Sequence, residues 1–183
     1  PLFPDDFHAE TQVMISLISS DKSVQPDALA CLAASAAIAV SNIPFAGPVS
    51  EVRVGRINGE FIVNPTFAQM ADCDMDIMVA ATIDNIMMVE GEMHEASETE
   101  MLDAIKVAHA ESKLHCQAQL DLASKIEKSS PKREYSHETN DAELEANVMA
   151  YCFDKCYTIA TSASAKHDRS DAFKALEAEY LGT

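Results

Sequence analysis

Side chains with chemical capacity are concentrated at a few places along the 183 residues. Asp74 and Asp76 stand two apart at the entry of an apolar run. Arg53 and Arg56 lie three apart in an earlier alternating run, and Lys132 and Arg133 form a short basic pair after Pro131. Two carboxylates hold a divalent cation weakly, and a firm site needs several convergent oxygens. The default for Asp74 and Asp76 is therefore an acidic pair without a ligand. The four basic residues are candidates for contact with a nucleic-acid backbone. The competing expectation is that such arginines are solvated or pair with the abundant carboxylates. Cys152 and Cys156, four apart, can share a helix face, and His109 and His115 sit on an earlier predicted helix. Zinc needs a tighter and better spaced ligand set, so no metal site is expected and buried free thiols are.

The familiar catalytic signatures are absent: there is no GxxxxGK[ST] or GxGxxG phosphate loop, no GxSxG elbow, no HExxH and no CxxC. Thirty acidic residues against thirteen basic ones give a net charge of -17. A free-standing nucleic-acid binder carries a basic footprint, so any such partner would be held mostly by residues outside this chain. Five cysteines, an odd number with no signal peptide ahead of them, predict reduced thiols and a cytoplasmic protein. No apolar run approaches the ~20 residues that span a bilayer, so no membrane partner is expected. The chain opens on Pro1 without an initiator Met or a basic leader, which gives the expectation of an excised piece. Sheet edges left open by such an excision predict non-native association or a looser fold.

The elements that must position these residues can be read from periodicity. Thr11 to Ser19 alternates as a strand. Pro26 and Asp27 open an Ala-rich helix, 28–40, ended by Asn42 and Pro44. Residues 51–57 and 61–63 form a hairpin around Asn58-Gly59. Residues 66–73 read as a short helix or loop, and 76–82 with 86–90 form a second hairpin around Asp84-Asn85. Ser97 and Glu100 make a capping box for a long helix running to about Ile126. Ser129-Ser130-Pro131 stops it. From His137 onward the pattern is helical, with an apolar stripe from Leu144 to Ile159, a polar break at 163–169 and a last helix from Ser170. The expectation is an α+β fold followed by an all-α domain, divided as 1–130 and 131–183.

Several short stretches, in order, resemble the polynucleotide phosphorylases. They are Pro1-Leu2-Phe3-Pro4, Ala34-Ser35-Ala36-Ala37, Ser41 to Pro48 (SNIPFAGP), Arg53-Val54-Gly55 with the Asn58 turn, Asn64-Pro65-Thr66, and Asp76 to Thr82 (DIMVAAT). Val89-Glu90 before an acidic helix start completes the series. The resemblance runs in register from 1 to about 128. The remainder is similar to that family's helical linker by position and pattern.

The resemblance implies an RNase PH-like sheet with packed helices, of ribosomal-protein-like βαβ architecture. It implies a phosphorolytic 3′-to-5′ exoribonuclease acting in RNA degradation, with Mg2+, RNA as substrate, a homotrimeric ring and partners in a degradation assembly. The segment corresponds to the rear of the first of two repeats, and the second carries the chemistry. Active repeats present Asp-His-x-Gly-Asp-Met-Asp-Phe-Lys where this chain has Met70 to Met78. Asp74 and Asp76 remain as a remnant, while Met70 and Met78 stand where a metal ligand and a catalytic Lys are found. Active repeats also present Gly-Ser-Ser-Ser at the start of the Ala-rich helix, where this chain has Val24-Gln25-Pro26-Asp27. Pro26 lacks a donor and Asp27 repels phosphate. No catalytic residue, metal site or cofactor is expected here, which argues against a catalytic subunit in its own right. A different reading is an acidic helical adaptor whose Leu144–Ile159 stripe docks a protein partner.

Overall fold

Val52 and Val54 alternate with Glu51 and Arg53, and this two-residue period becomes the first strand of a four-stranded sheet. The computed structural model describes residues 2–135 and 140–182. They form two units, Pro1–His137 and Glu138–Thr183.

In the first unit α1 (Asp27–Ala39) precedes β1 (Ser50–Ile57) and β2 (Glu60–Val63). A single helical turn, α2 (Phe67–Met70), leads to β3 (Met75–Ala81), β4 (Ile86–Met93) and the long α3 (Glu98–Ala123). The sheet order is β2-β1-β3-β4 with every neighbouring pair antiparallel. Because β2 and β3 both oppose β1, they run parallel to one another, and β2-α2-β3 is a βαβ connection split by β1. Asn58 and Gly59 take φ of 53° and 83°, the left-handed pair that a tight hairpin needs.

The core lies between the sheet and α3. Val52, Val54, Met75, Ile77 and Val79 meet Ala104 and Ala108. The buried positions of α3 are Ala104, Ala108, Ser112, Cys116 and Gln119. The first four form one i, i+4 ridge of small side chains, so the helix axis lies close to the sheet. Each fully buried Val or Ile contributes about 1.5–3 kcal/mol. Ser97 accepts from the Glu100 amide and the Glu100 carboxylate accepts from the Ser97 amide, so the capping box starts α3 as expected. His109 Nε2 lies 3.0 and 3.1 Å from the Thr82 and Ile83 carbonyls, and Ser50 Oγ lies 2.9 Å from His115 Nδ1. Both histidines thus tie α3 to strand ends.

Two sequence expectations are corrected. Residues 11–19 are not a strand, because no strand in the described chain runs beside them, and a strand without a partner has no ladder to stabilise it. The final helix starts at Lys166, not Ser170. Lys and Arg are good helix formers whatever their polarity, so the polar stretch did not break the helix where it was expected to. The expected helical onset at His137 lies outside the described residues.

The second unit is a helical hairpin of α4 (Ala142–Thr161) and α5 (Lys166–Leu181). Asp141 caps α4, accepting from the Leu144 amide at 2.9 Å. Tyr151 and Lys155 on α4 both donate to Glu179 on α5, at 2.7 and 2.8 Å. Leu176 is buried, Val148, Cys152, Cys156 and Ile159 are half-buried, and Leu144, Met149, Phe153 and Tyr157 are exposed.

Candidate functional site

Residues three apart on a strand point to opposite faces, and Arg53 and Arg56 do so on β1. Arg56 lies on the α3 side and is 6 % exposed. Its Nε and Nη2 donate to the two carboxylate oxygens of Asp74 at 2.7 and 3.0 Å. Its Nη1 donates to Glu100 Oε1 at 2.6 Å. One guanidinium thus ties the entry of β3 to the first turn of α3. The Arg56 hydrogen bonds hold the Asp74 carboxyl below the usual carboxylate range. Glu100 is also held low, first by the Ser97 amide and hydroxyl and then by Arg56.

Arg53 lies on the other face. Its Nε and Nη2 donate to Asp76 at 2.7 and 3.0 Å, a bidentate pair. Its Nη1 donates to Gln25 Oε1 at 2.6 Å and also to Asp27 Oδ2. The cross-strand register explains the reach: Asp76 sits opposite Gly55, so Arg53 meets it on the diagonal. Gln25 and Asp27 arrive at the N-terminal end of α1. A concavity of about 490 Å3 opens here, lined by Asp27, Glu51, Arg53, Asp76, Met78, Glu90, Gly91 and Glu92. Five carboxylates therefore surround one guanidinium. Burial, followed by repulsion from Asp27 and Glu90, pushes the Glu51 carboxyl above its ordinary value. Gly91 has φ of 152°, and a Cβ there would lie 2.1 Å from the Asp76 carbonyl oxygen. Only glycine lets β4 pass this close to the site.

The residues present do not fit a divalent metal. Both Asp76 oxygens are taken by Arg53 and both Asp74 oxygens by Arg56. Among the described residues no three His, Cys, Asp or Glu side chains converge on a point. Nor does the concavity suit phosphate: its one cation is already bound to carboxylates, and the remaining acidic groups repel an anion.

Lys132 Nζ donates to the Ala39 and Ser41 carbonyls at 3.0 and 2.7 Å, capping the C-terminus of α1. Burial pulls its ammonium below the usual lysine range. The Arg133 side chain is exposed, with its guanidinium 5.4 Å from the centre of the Phe7 ring. Cys116 is buried between the Pro48 and Ala81 carbonyls, and all five cysteines are free thiols. The sequence pointed to Gln25, Asp27, Asp76 and Arg53 separately but did not pair them. Glu51, Glu90 and Glu92 carried no signal of their own, and only the β1–β3 and β3–β4 registers bring them to this face.

Residues 47–111 match the 3′ exoribonuclease family, domain 2. The chain is 60% identical over 180 residues, 98% of its length, to polyribonucleotide nucleotidyltransferase of Parabacteroides distasonis. Over nearly its whole length the chain is similar to polyribonucleotide nucleotidyltransferases. The enzyme of the same name from Bacteroides fragilis is 59% identical over 181 residues, and that of Cytophaga hutchinsonii 52% over 182. The chain spans about a quarter of the length of these curated relatives, 24% and 25% for the first two. The match reaches through the helical hairpin as well as the sheet. No helix among the described residues is long and apolar enough to cross a membrane.

Proposed function

We propose that this chain is a non-catalytic, structural segment of a phosphorolytic 3′-to-5′ exoribonuclease that acts in mRNA degradation. Residues 1–130 are the rear part of its first RNase PH-type domain, and 131–183 belong to its helical linker. The observation that carries this reading is the Arg53 network. It joins, in one ion-paired cluster, the positions that in an active repeat would hold phosphate (Gln25, Asp27) and metal (Asp76). Phosphoryl transfer brings anions together and needs unspent positive charge and a metal clamp. This face offers neither.

In the whole protein, Mg2+-assisted cleavage of RNA by phosphate then falls to the second repeat. The protein is cytoplasmic and forms a homotrimeric ring, which this segment helps to build, and it joins partners in RNA degradation. Of the four candidate RNA contacts, Arg53 and Arg56 are engaged by carboxylates and Lys132 by carbonyls. Arg133 is exposed and is the best placed to touch a phosphate. A single such contact makes RNA binding by the chain alone weak and salt-sensitive.

The adaptor reading has one observation in its favour, the exposed ridge of Leu144, Met149, Phe153 and Tyr157. The similarity to polyribonucleotide nucleotidyltransferases runs through those same residues and favours the enzyme segment. The test is phosphate-dependent release of nucleoside diphosphate from poly(A) with Mg2+. The purified chain is expected to release none while the complete protein is active. Release that survives rigorous purification of the chain would overturn the reading.

A further inference from the structure

We propose that Asn58 is a modification site: the Gly59 amide nitrogen attacks the Asn58 side-chain carbonyl carbon, ammonia leaves, and water opens the resulting cyclic imide to aspartate or isoaspartate. Asparagine is a chemically labile residue, and the only reagent needed is water. One bond forms from the Gly59 nitrogen to the side-chain carbon as the bond from that carbon to the side-chain nitrogen breaks. The Gly59 amide proton leaves with the ammonia. Hydrolysis then breaks one of the two bonds that hold the Gly59 nitrogen in the imide. Cleavage at the side-chain carbon gives aspartate, and cleavage at the main-chain carbon gives isoaspartate.

The tip of the β1–β2 hairpin presents both reacting groups to water. Asn58, Gly59 and Glu60 are exposed. Among the described residues neither the Asn58 side chain nor the Gly59 amide makes a hydrogen bond. Glycine has no Cβ to shield its nitrogen, and a Cβ built at Gly59 would meet nothing within 4 Å. Other asparagines supply the contrast. Asn64 belongs to the same hairpin and also has a positive φ, 48°. Its neighbour Pro65 has no N–H to attack with, and its Oδ1 accepts from the Arg53 amide at 3.1 Å. Asn42 and Asn85 precede Ile43 and Ile86, whose branched side chains crowd the amide.

The turn must open for the nitrogen to reach the side-chain carbon, and that opening is local. The outermost pair is Ile57 with Glu60. Strand β2 has four residues and lies at the edge of the sheet. Such an end opens at a free energy well below that of the whole domain. The two products then differ in effect. Aspartate keeps the turn, since Asp-Gly is also favoured there, and adds a negative charge beside Glu60. Isoaspartate puts a side-chain carbon into the main chain. The two-residue loop is then too long for Ile57 and Glu60 to close in register. Phe61 and Val63, which pack against the core from β2, are loosened with it. The proposal is independent of whether the segment is catalytic.

Timed incubation of the complete protein in mildly alkaline buffer, followed by tryptic digestion and tandem mass spectrometry, tests it. The peptide that begins at Ile57 is expected to gain about 1 Da at Asn58 and to resolve into aspartate and isoaspartate forms. Conversion should run within about 100-fold of its rate in the same protein unfolded in urea, as local opening allows. It should also outpace conversion at Asn42, Asn64 and Asn85. Slower conversion than that, or conversion led by one of those three, would overturn the proposal. As a second readout, Asn58→Gly keeps a residue suited to the turn and removes the reacting amide. The aged variant should yield no isoaspartate from this peptide, and isoaspartate that persists there would also count against the proposal.

Discussion

The two faces of the sheet use the same chemistry for different ends. Arg56, on the α3 face, and Arg53, on the open face, each bind one aspartate with both oxygens and reach a second carboxylate. Arg56 is enclosed beside an apolar core and links elements that the core already holds together. Arg53 stands in a concavity ringed by carboxylates, which the proposed function reads as the remnant of a phosphate and metal site. Under the proposed function, the comparison teaches that a repeat without a catalytic centre need not leave a void. Here Met78 and Asp27 come with an internal cation that ties the remaining groups together.

The largest effect that would break this comparison is expected at Gly91. Gly91→Ala places a Cβ against the Asp76 backbone at a φ that L-residues rarely adopt. It should destabilise the first unit by about 3–5 kcal/mol, read as a shift of the urea midpoint. A change below about 1 kcal/mol would show that β4 does not press on Asp76.

On the α3 face, Ile77→Ala removes one of the largest fully buried side chains and should cost about 2–5 kcal/mol. The open face is expected to be less sensitive. Arg53→Met should cost about 1–3 kcal/mol, because it leaves Asp76 and Asp27 unpaired in a half-buried setting. If Arg53→Met costs as much as Ile77→Ala, the two faces are not distinct in the way described.

The smallest effect is a pH dependence. Glu51 has a folded pKa raised above its ordinary 4.5 by burial, then by Asp27 and Glu90. The folded protein therefore binds the proton more tightly than the unfolded chain does. Stability falls as pH rises from 4.5 towards the folded pKa, and the penalty is complete above it. Glu51→Gln should stabilise at pH 7 and have no such effect below pH 4.5. Asp74 and Glu100 act in the opposite sense, since their folded pKa values are depressed. Their contribution is present above their unfolded values and is lost as pH falls through the folded ones. A Glu51→Gln gain that persists unchanged into acid would contradict the assignment.

Local signals carried much of the fold. Asn58-Gly59 set the first hairpin, Ser97 with Glu100 started α3, and alternation placed β1 and β3 within a residue of their observed bounds. Contacts between distant residues did not show in the sequence. Nothing near Lys132 says that it caps a helix about ninety residues earlier in the chain. The pairing of Arg53 with Asp76 follows from a register fixed by the whole sheet. The strand expected at 11–19 failed because alternation reports a disposition to pair, and within the described chain no strand lies alongside.

The central claim is that this face is chemically silent, and Asp76→Asn in the complete protein tests it most directly. The substitution preserves shape and an acceptor for Arg53 while removing the charge a metal would need. The account predicts phosphorolysis of poly(A) within about 3-fold of the parent's kcat/KM, with a melting temperature lowered only by the loss of one of the two Arg53 hydrogen bonds. A loss on the order of 1,000-fold in a protein that melts normally, the scale of removing a group that stabilises the transition state, would contradict it.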